Sequence, residues 1–376
     1  MFSFNGMKSI KKSDIVIYAA LFLFTVNVSA QDFDELEFGT DSTFEILTWN
    51  IEWFPKNGQI TVDYVTQIIQ ALEIDVLAIQ EVSDTLLFNQ MLDELTGYES
   101  YYQSAWFAGL AYIYKTNAIE INDIYEIYTT APYWSPFPRS PMVMDMTYLG
   151  ENIIIINNHF KCCGDGYLDL DDPDDEETRR YLANNLLKEY IDTNFSNNNV
   201  IVLGDLNDIL TDDTENNVFQ MILNDTENYL FADMEIAAGN SSEWSYPWWP
   251  SHIDHILITN ELFDEFENES SKVQTIKIDE FMDGGFDEYY ENISDHRPVA
   301  LKLEFIALSD GDVNGDGVTD IIDVNILVDF ILGNQIATPS QFAAADLNQD
   351  TIIDVMDIVL LVDLILGSTL LPVQTR

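Results

Sequence analysis

Near its C-terminus the chain repeats one pattern of acidic residues at a fixed displacement. Asp312, Asn314, Asp316, Asp320 and Asp323 recur as Asp346, Asn348, Asp350, Asp354 and Asp357, each 34 residues on, and Gly333 and Gly367 close the two copies at the same spacing. One offset shared by every matched position marks an internal duplication, a single supersecondary unit folded twice. The spacing also points to a ligand. Calcium takes several oxygen ligands, and a loop offering them at positions 1, 3, 5, 7, 9 and 12 encloses it in one turn of chain. In the first copy these positions are Asp312, Asn314, Asp316, the Val318 carbonyl, Asp320 and Asp323. In the second they are Asp346, Asn348, Asp350, the Ile352 carbonyl, Asp354 and Asp357. Gly317 stands at position 6, where a sharp turn favours a residue without a β-carbon. Thr351 replaces it in the second loop and is expected to weaken or distort that site. Each loop runs into one apolar helix, over 324–332 and 355–366, and neither is preceded by a convincing entering helix.

The two loop-helix copies resemble the type I dockerin repeat rather than a full EF-hand, over about sixty residues within 310–367. Dockerins commonly dock onto cohesin modules, so the resemblance implies Ca²⁺ in the loops and a cohesin-type or cell-surface partner. Positions 10 and 11, which influence that choice, are Ile321-Ile322 and Val355-Met356, apolar where many cellulosomal dockerins carry Ser or Thr. Another cohesin class, or a module that folds on calcium and caps the rest of the chain, both remain open.

The other end of the chain reads as an export signal. Lys8, Lys11 and Lys12 precede an apolar run too short to span a bilayer, and small residues at Val28-Ser29-Ala30 suit cleavage. Residues 1–30 are therefore expected to be a signal peptide and 31–43 a linker. The protein is expected outside the cell, with no transmembrane segment once the signal is removed, and 368–376 reads as a tail. The formal net charge is −51. Such a surface is soluble in salt, and it excludes non-specific nucleic-acid binding through a basic patch. A polyanionic substrate would have to be met by metal ions and a few placed cations. The only cysteines, Cys162 and Cys163, are adjacent, which leaves open a vicinal disulfide, a bond between chains, or free thiols.

Between the two ends, apolar and β-branched runs at 44–51, 75–82, 142–149, 152–160, 199–206, 252–259 and 298–305 read as strands, and 62–72 and 178–191 show helical spacing. Several strands follow one another with no helix between, so mixed or antiparallel sheets are expected. Polar motifs sit at the ends of these strands: Trp49-Asn50-Ile51, Gln80-Glu81-Val82, Asn157-Asn158-His159, Gly204-Asp205-Leu206-Asn207-Asp208, His252-Ile253-Asp254-His255 and Ser294-Asp295-His296-Arg297-Pro298. All four histidines of the chain fall within them, which points to chemistry.

In this order and spacing the motifs resemble the endonuclease/exonuclease/phosphatase superfamily, over residues 44–306. The resemblance implies a four-layer α/β/β/α sandwich, followed by the small all-α module of two calcium loop-helix repeats. It also implies a phosphodiesterase that uses Mg²⁺ or Mn²⁺. The residues fit such chemistry in their own right. A phosphodiester is an anion whose oxygens need a divalent Lewis acid, and Mg²⁺ takes hard oxygen ligands. Glu81 is the first candidate, beside Asn50 and Asp295. Asp205 with Asn207 suits the orientation and deprotonation of a water, and His296 paired with Asp254 suits phosphate stabilisation or protonation. The resemblance adds His159 as general acid or phosphate ligand, and Arg139 as a phosphate contact. Nucleic acid is the expected substrate. A sphingomyelinase-like action on phospholipid, or a phosphatase of the same superfamily, is the alternative; Trp244, Trp248, Trp249, Trp134 and Phe137 form aromatic loops that suit membrane interfaces or unpaired bases. A non-catalytic surface-assembly protein is a third reading, and the intact set of polar residues speaks against it. The acidic stretch 165–177 reads as a solvated loop or an additional calcium loop.

Overall fold

The computed structural model describes residues 33, 35–40, 42–103, 108–305, 308, 310–337 and 339–367. The expected signal peptide and C-terminal tail lie outside the described residues, as do parts of the linkers at 31–43 and 307–309. Among the described residues no helix is long and apolar enough to cross a membrane.

The strands are, in chain order, β1 (Phe44–Phe54), β2 (Val76–Val82), β3 (Tyr98–Gln103), β4 (Gly109–Lys115), β5 (Glu120–Glu126), β6 (Met142–Tyr148), β7 (Glu151–His159), β8 (Asn199–Asp205), β9 (Tyr229–Phe231), β10 (Asp254–Thr259), β11 (Lys272–Thr275) and β12 (Val299–Leu303). They form two six-stranded mixed sheets, ordered β11-β12-β1-β2-β4-β3 and β5-β6-β7-β8-β10-β9. Each sheet contains one parallel pair, β1 with β2 and β7 with β8, among antiparallel neighbours. Alternation along the strands builds the layers. Ile46, Val76 and Ala78 meet Ile153, Ile155, Ile201 and Leu203 in the core between the sheets. Their neighbours point outward. Leu47, Trp49 and Leu77 pack on Val62, Val65 and Ile69 of helix α1 (Gln59–Leu72), and on Phe88 and Met91 of α2 (Thr85–Glu94). Ile154, Ile156, Val200 and Val202 pack on Ala183, Leu187 and Ile191 of α3 (Glu176–Asn194). The expected four-layer α/β/β/α sandwich is the fold.

Sequence patterning passed over β3, β4 and β5. β3 and β5 are sheet-edge strands whose tyrosines and isoleucines are mixed with Glu or Asp, because one face meets water, whereas β4 lies inside its sheet and is a short buried run interrupted by small residues and tyrosine. Gly204 pairs with Asn158 inside the second sheet, and only glycine fits there, since a β-carbon would stand 1.9 Å from the Asn158 carbonyl oxygen, while the two sheets meet through side chains. A buried polar link ties them together: the Gln80 side-chain amide donates to Asn157 Oδ1 at 2.8 Å, and Asn157 donates to the Ile79 and Ala111 carbonyls at 3.1 Å.

After three short helices, α4 (Gln220–Leu223), α5 (Met234–Ala237) and α6 (Phe263–Glu267), and α7 (Gly285–Asn292), the C-terminal module contains α8 (Ile321–Leu332), α9 (Pro339–Ala345) and α10 (Val355–Ile365). Val313, Val324, Leu327, Ala345 and Leu361 form its core. The helix α9 precedes the second loop, where no convincing entering helix is legible in the residues; with seven residues it is too short to show a period, and Ala345 holds it to the core.

One buried group opposes the fold. Glu45 on β1 is fully buried between Asp75 and Lys302, and its Oε2 has no hydrogen-bond partner. Burial pushes its carboxyl up to about 7; the Thr43 hydroxyl opposes the rise and Asp75 adds to it. The folded value lies above the ordinary 4.5, so the folded state favours the protonated form. Glu45 therefore contributes fully below about pH 4.5 and loses that contribution as pH rises through about 7. In denaturant titrations, Glu45→Gln is expected to gain on the wild type by on the order of 2 kcal/mol between pH 5 and pH 8. A difference that does not change with pH would remove Glu45 as its source.

Candidate active site

Both parallel pairs run in the direction that brings their carboxyl ends to the same edge of the sandwich. Asn50 lies late in β1, Glu81 late in β2, His159 ends β7 and Asp205 ends β8. The antiparallel strand β10 begins at that edge with Asp254, directly opposite Asp205, and the Asp295-His296 loop leads into β12 there as well. Asn50, Glu81, His159, Asp205, Asn207, Asp295 and His296 line one open cleft of about 370 Å³. Asp254 lies beneath it, bonded to His296, and Arg139 stands outside its lining.

Local irregularities aim these side chains. The register of β2 shifts on both sides near its end, and Glu81 adopts a left-handed φ of 68°. Such a bulge turns a side chain out of the strand's alternation. Glu81 Oε2 accepts from the Trp53 amide at 3.0 Å. Asn207 is also left-handed, at φ 55°, a conformation asparagine tolerates, and its amide donates to Asp205 Oδ1 at 3.1 Å. Asn50 Nδ2 donates to the other oxygen, Asp205 Oδ2, at 3.0 Å, across the two sheets. The Ser294 hydroxyl donates to the Asn50 carbonyl at 2.6 Å and accepts from the His296 amide at 3.0 Å, which fixes the last loop against β1.

The electrostatics are those of a carboxylate cluster short of cations. Burial pushes the Asp205 carboxyl up to about 7; Asp254 and Glu81 add to the rise, against His296 and the Asn50 hydrogen bond. His296 Nδ1 donates to Asp254 Oδ2 at 2.7 Å. Burial works against protonating His296, yet Asp254 and Asp205 outweigh it and lift the imidazole to about 10, so it is a cation at neutral pH. His159 differs. Burial, with Arg139 and His296 nearby, drives it well below the ordinary range, so it stays neutral. Its Nε2 lies 3.4 Å from Asp205 Oδ2 and 3.8 Å from Glu81 Oε1, and its buried Nδ1 has no hydrogen-bond partner.

The motif reading passed over several residues. Glu52 and Trp53, beside Asn50, line the cleft, and Glu52 pairs with Lys56. The Tyr246 ring tilts over His296 at 4.9 Å. Arg180 is buried; it donates to Asp208 Oδ2 at 2.8 Å and to the Lys161 and Cys163 carbonyls at 2.8 and 2.7 Å, and pairs with Glu177 at 3.1 Å. It thereby ties the 161–163 segment and the acidic stretch to the loop that carries Asp205. An arginine amid so many acids was the available signal.

His252 and His255 are a correction: although both belong to a motif, neither lines the cleft. They meet at Asp233 Oδ2, at 3.0 and 2.6 Å, while His252 Nδ1 accepts from the Ser245 amide and His255 Nε2 donates to the Asp208 carbonyl. Every ring nitrogen is occupied, so the pair braces β10 and the Asp208 turn. Arg297 is likewise structural, gripping Asp279 through two nitrogens at 2.8 and 2.6 Å. Phe137, expected in an aromatic loop, is buried on Tyr128, and Trp244 donates to the Ile236 carbonyl, whereas Trp134, Trp248 and Trp249 are exposed.

Residues 47–296 match the family described as Endonuclease/Exonuclease/phosphatase. The chain belongs to that family, whose members are hydrolases acting on phosphoester bonds. Residues 310–366 match the dockerin type I domain. Among solved structures, a TDP2 from D. rerio complexed with a single-strand DNA product aligns at 13% identity with a TM-score of 0.53, covering 70% of this chain and all of that one. The catalytic domain of human Nocturnin with a bound sulfate anion aligns at 16% identity with a TM-score of 0.50, covering 70% and 94%. At these identities the likeness is one of fold. No curated protein matches the chain.

Enzymes of this family use divalent metals, and the donor set fits one: Asn50, Glu81 and Asp295 offer hard oxygens to the cleft, and burial beside them raises the Asp205 carboxyl, with Asp254 and Glu81 adding to the rise. In the C-terminal module the two loops are built alike. Asp312 Oδ2 accepts from the Gly317 amide at 3.0 Å and Asp346 Oδ2 from the Thr351 amide at 2.8 Å. Asp323 and Asp357 each close a capping box on the following helix. Thr351 is forced to φ 69° where Gly317 takes 79°, so the second loop keeps the turn at a cost of about 1–3 kcal/mol rather than losing it.

Asp254→Asn is expected to lower the His296 titration midpoint by about 2 pH units, read by NMR of the imidazole ring. An unchanged midpoint would mean that Asp254 does not hold the proton there.

Proposed function

We propose that the protein is a secreted, divalent-metal-dependent phosphodiesterase acting on nucleic acid, held at a surface through its dockerin module. The observation that carries this reading is the convergence of Asn50, Glu81, His159, Asp205, Asn207, Asp295 and His296 on one cleft. Glu81, with Asn50 and Asp295, would hold a Mg²⁺ or Mn²⁺ ion, which would supply Lewis-acid stabilisation of the phosphoryl and leaving oxygens.

The chain's own groups do the rest. Asp205, oriented by Asn50 and the Asn207 amide, accepts the proton of a water placed in line with phosphorus. His296, cationic and held by Asp254, donates toward the phosphoryl oxygens. His159, kept neutral, accepts a hydrogen bond or relays a proton at Nε2. Arg139, half-buried and close enough to influence His159, makes no hydrogen bond or ion pair among the described residues and is suited to a phosphate. Calcium in the loops of 312–323 and 346–357 orders the module that meets a cohesin-type or cell-surface partner, which is in keeping with action outside the cell.

Nucleic acid is favoured by an ordered aromatic surface. Trp248 stacks on Tyr290 at 4.7 Å, Lys56 sits 3.7 Å over the same ring, and Trp53 and Tyr246 line the cleft. Flat rings beside a cation suit bases and a backbone phosphate. Trp249, 77% exposed, and Trp134 support the phospholipid alternative, which a panel separates.

Duplex DNA, single-stranded DNA, RNA, sphingomyelin liposomes and bis-p-nitrophenyl phosphate are assayed with Mg²⁺, with Ca²⁺ and with chelator. Hydrolysis of nucleic acid with Mg²⁺ is expected, and its loss by roughly 10²–10⁴-fold in kcat for Asp205→Ala. Unchanged activity in that variant would end the mechanism, and preference for sphingomyelin would replace the substrate.

A further inference from the structure

The cleft lining carries two groups that hydrolysis does not use. Cys162 and Cys163 are the only cysteines of the chain, both are exposed free thiols, and both line the same cavity as Glu81, Asp205 and His296. Their sulfurs lie 2.9 Å apart, with the Cys163 thiol donating to Cys162 Sγ. Lys161 Nζ stands 3.8 Å from the Cys162 sulfur and donates to the Cys162 carbonyl at 2.7 Å. Cys163 takes a left-handed φ of 72°, and Arg180 grips the carbonyls on either side of Cys162, so the segment is held in this form. Exposure next to a cation is the setting in which a thiol reacts.

We propose that Cys162-Cys163 is a thiol-modification site on the rim of the cleft, which reacts with small disulfides and closes to a vicinal disulfide. In the first step the Cys162 thiolate, its proton given to solvent, attacks one sulfur of RSSR. A protein–SR bond forms, the RS–SR bond breaks, and RS⁻ leaves to be protonated. Cys163 then loses its proton and attacks the Cys162 sulfur of the mixed disulfide, releasing the second RS⁻. The two protein thiols lose two electrons, and one RSSR becomes two RSH. The order follows from the contacts. Negative charge on Cys162 is met by the Lys161 ammonium and the Cys163 S–H, whereas the hydrogen bond to Cys162, then burial, hold the Cys163 thiol up so that it keeps its proton until the first step is done. The sulfurs need approach by under about 1 Å to bond.

Closure also bears on catalysis, a consequence that rests on the proposed function. Arg180 links the Cys163 carbonyl to Asp208, three residues from Asp205, so a shift in the thiol segment reaches the loop that carries the base.

The test uses the reduced full-length protein with Ca²⁺, incubated with oxidised glutathione, acid-quenched, and read by intact mass and peptide mapping. Bis-p-nitrophenyl phosphate hydrolysis is followed in parallel. Expected is loss of the mass of two hydrogen atoms, a bond between the adjacent residues, and reversal by dithiothreitol. Cys163→Ser should stop at a stable glutathione adduct on Cys162, and Cys162→Ser should react roughly tenfold more slowly. Two glutathiones on the wild type, or none with no bond, overturns the proposal. Oxidation is expected to change kcat/KM roughly tenfold. Equal rates with the bond formed would refute the coupling to the cleft. Absence of hydrolysis in both states would count against the phosphodiesterase reading and leave the mass result standing.

Discussion

Asp205 is a carboxyl that this fold buries, at a cost to its charged form that the fold offsets only in part. Its carboxyl is nearly inaccessible, faces Asp254 and Glu81, and shares its cleft with Glu52 and Asp295. Two like charges about 4 Å apart near a protein surface repel by about 4 kcal/mol, and oxygens of Asp205 and Asp254 lie within 4.8 Å of each other. His296 supplies one positive charge, already engaged by Asp254. Lys56 is engaged by Glu52. The cleft is therefore an incomplete electrostatic structure, and a divalent cation with an anionic substrate completes it in a way that basic residues, scarce in this chain, do not.

The sandwich serves that arrangement. Two parallel pairs, one in each sheet, deliver four polar side chains from strand ends to one edge, and antiparallel neighbours return to the same edge with Asp254 and the Asp295-His296 loop. The sheets must stay in register for Asn50 to reach Asp205. The Gln80–Asn157 link maintains that register from within the core. Behind the cleft, Arg180 and the Asp233–His252–His255 network hold the Asp208 turn from two sides. The polar residues that do not touch a substrate thus fix those that would.

Much of this was legible in the sequence, for physical reasons that can be named. Buried central strands such as 153–156 are continuous apolar runs, and the calcium loops repeat at one offset, so both stand out without context. The edge strands β3 and β5 do not, because one face is wet and tyrosine serves either environment. The site was readable as a set of motifs, but the division of labour inside it was not. Sequence counts His252 and His255 with the chemistry, whereas Asp233, distant in sequence and outside every motif, claims them for the scaffold. Thr351 looked like a defect in the second calcium loop, yet the loop keeps the turn of the first, with Gln349 and Thr351 left-handed where the first copy has Gly315 and Gly317 and with the Asp346 and Asp357 hydrogen bonds in place.

The central claim is that the cleft is built around a divalent cation held by Glu81 and its neighbours. Calorimetric titration of the calcium-saturated protein with Mg²⁺ tests it most directly, because the C-terminal loops are then already filled. The wild type should show a Mg²⁺ site that Glu81→Gln abolishes or weakens by at least about tenfold, while the calcium loops are unaffected. Mg²⁺ binding of equal strength in Glu81→Gln, or none in the wild type, would contradict the account.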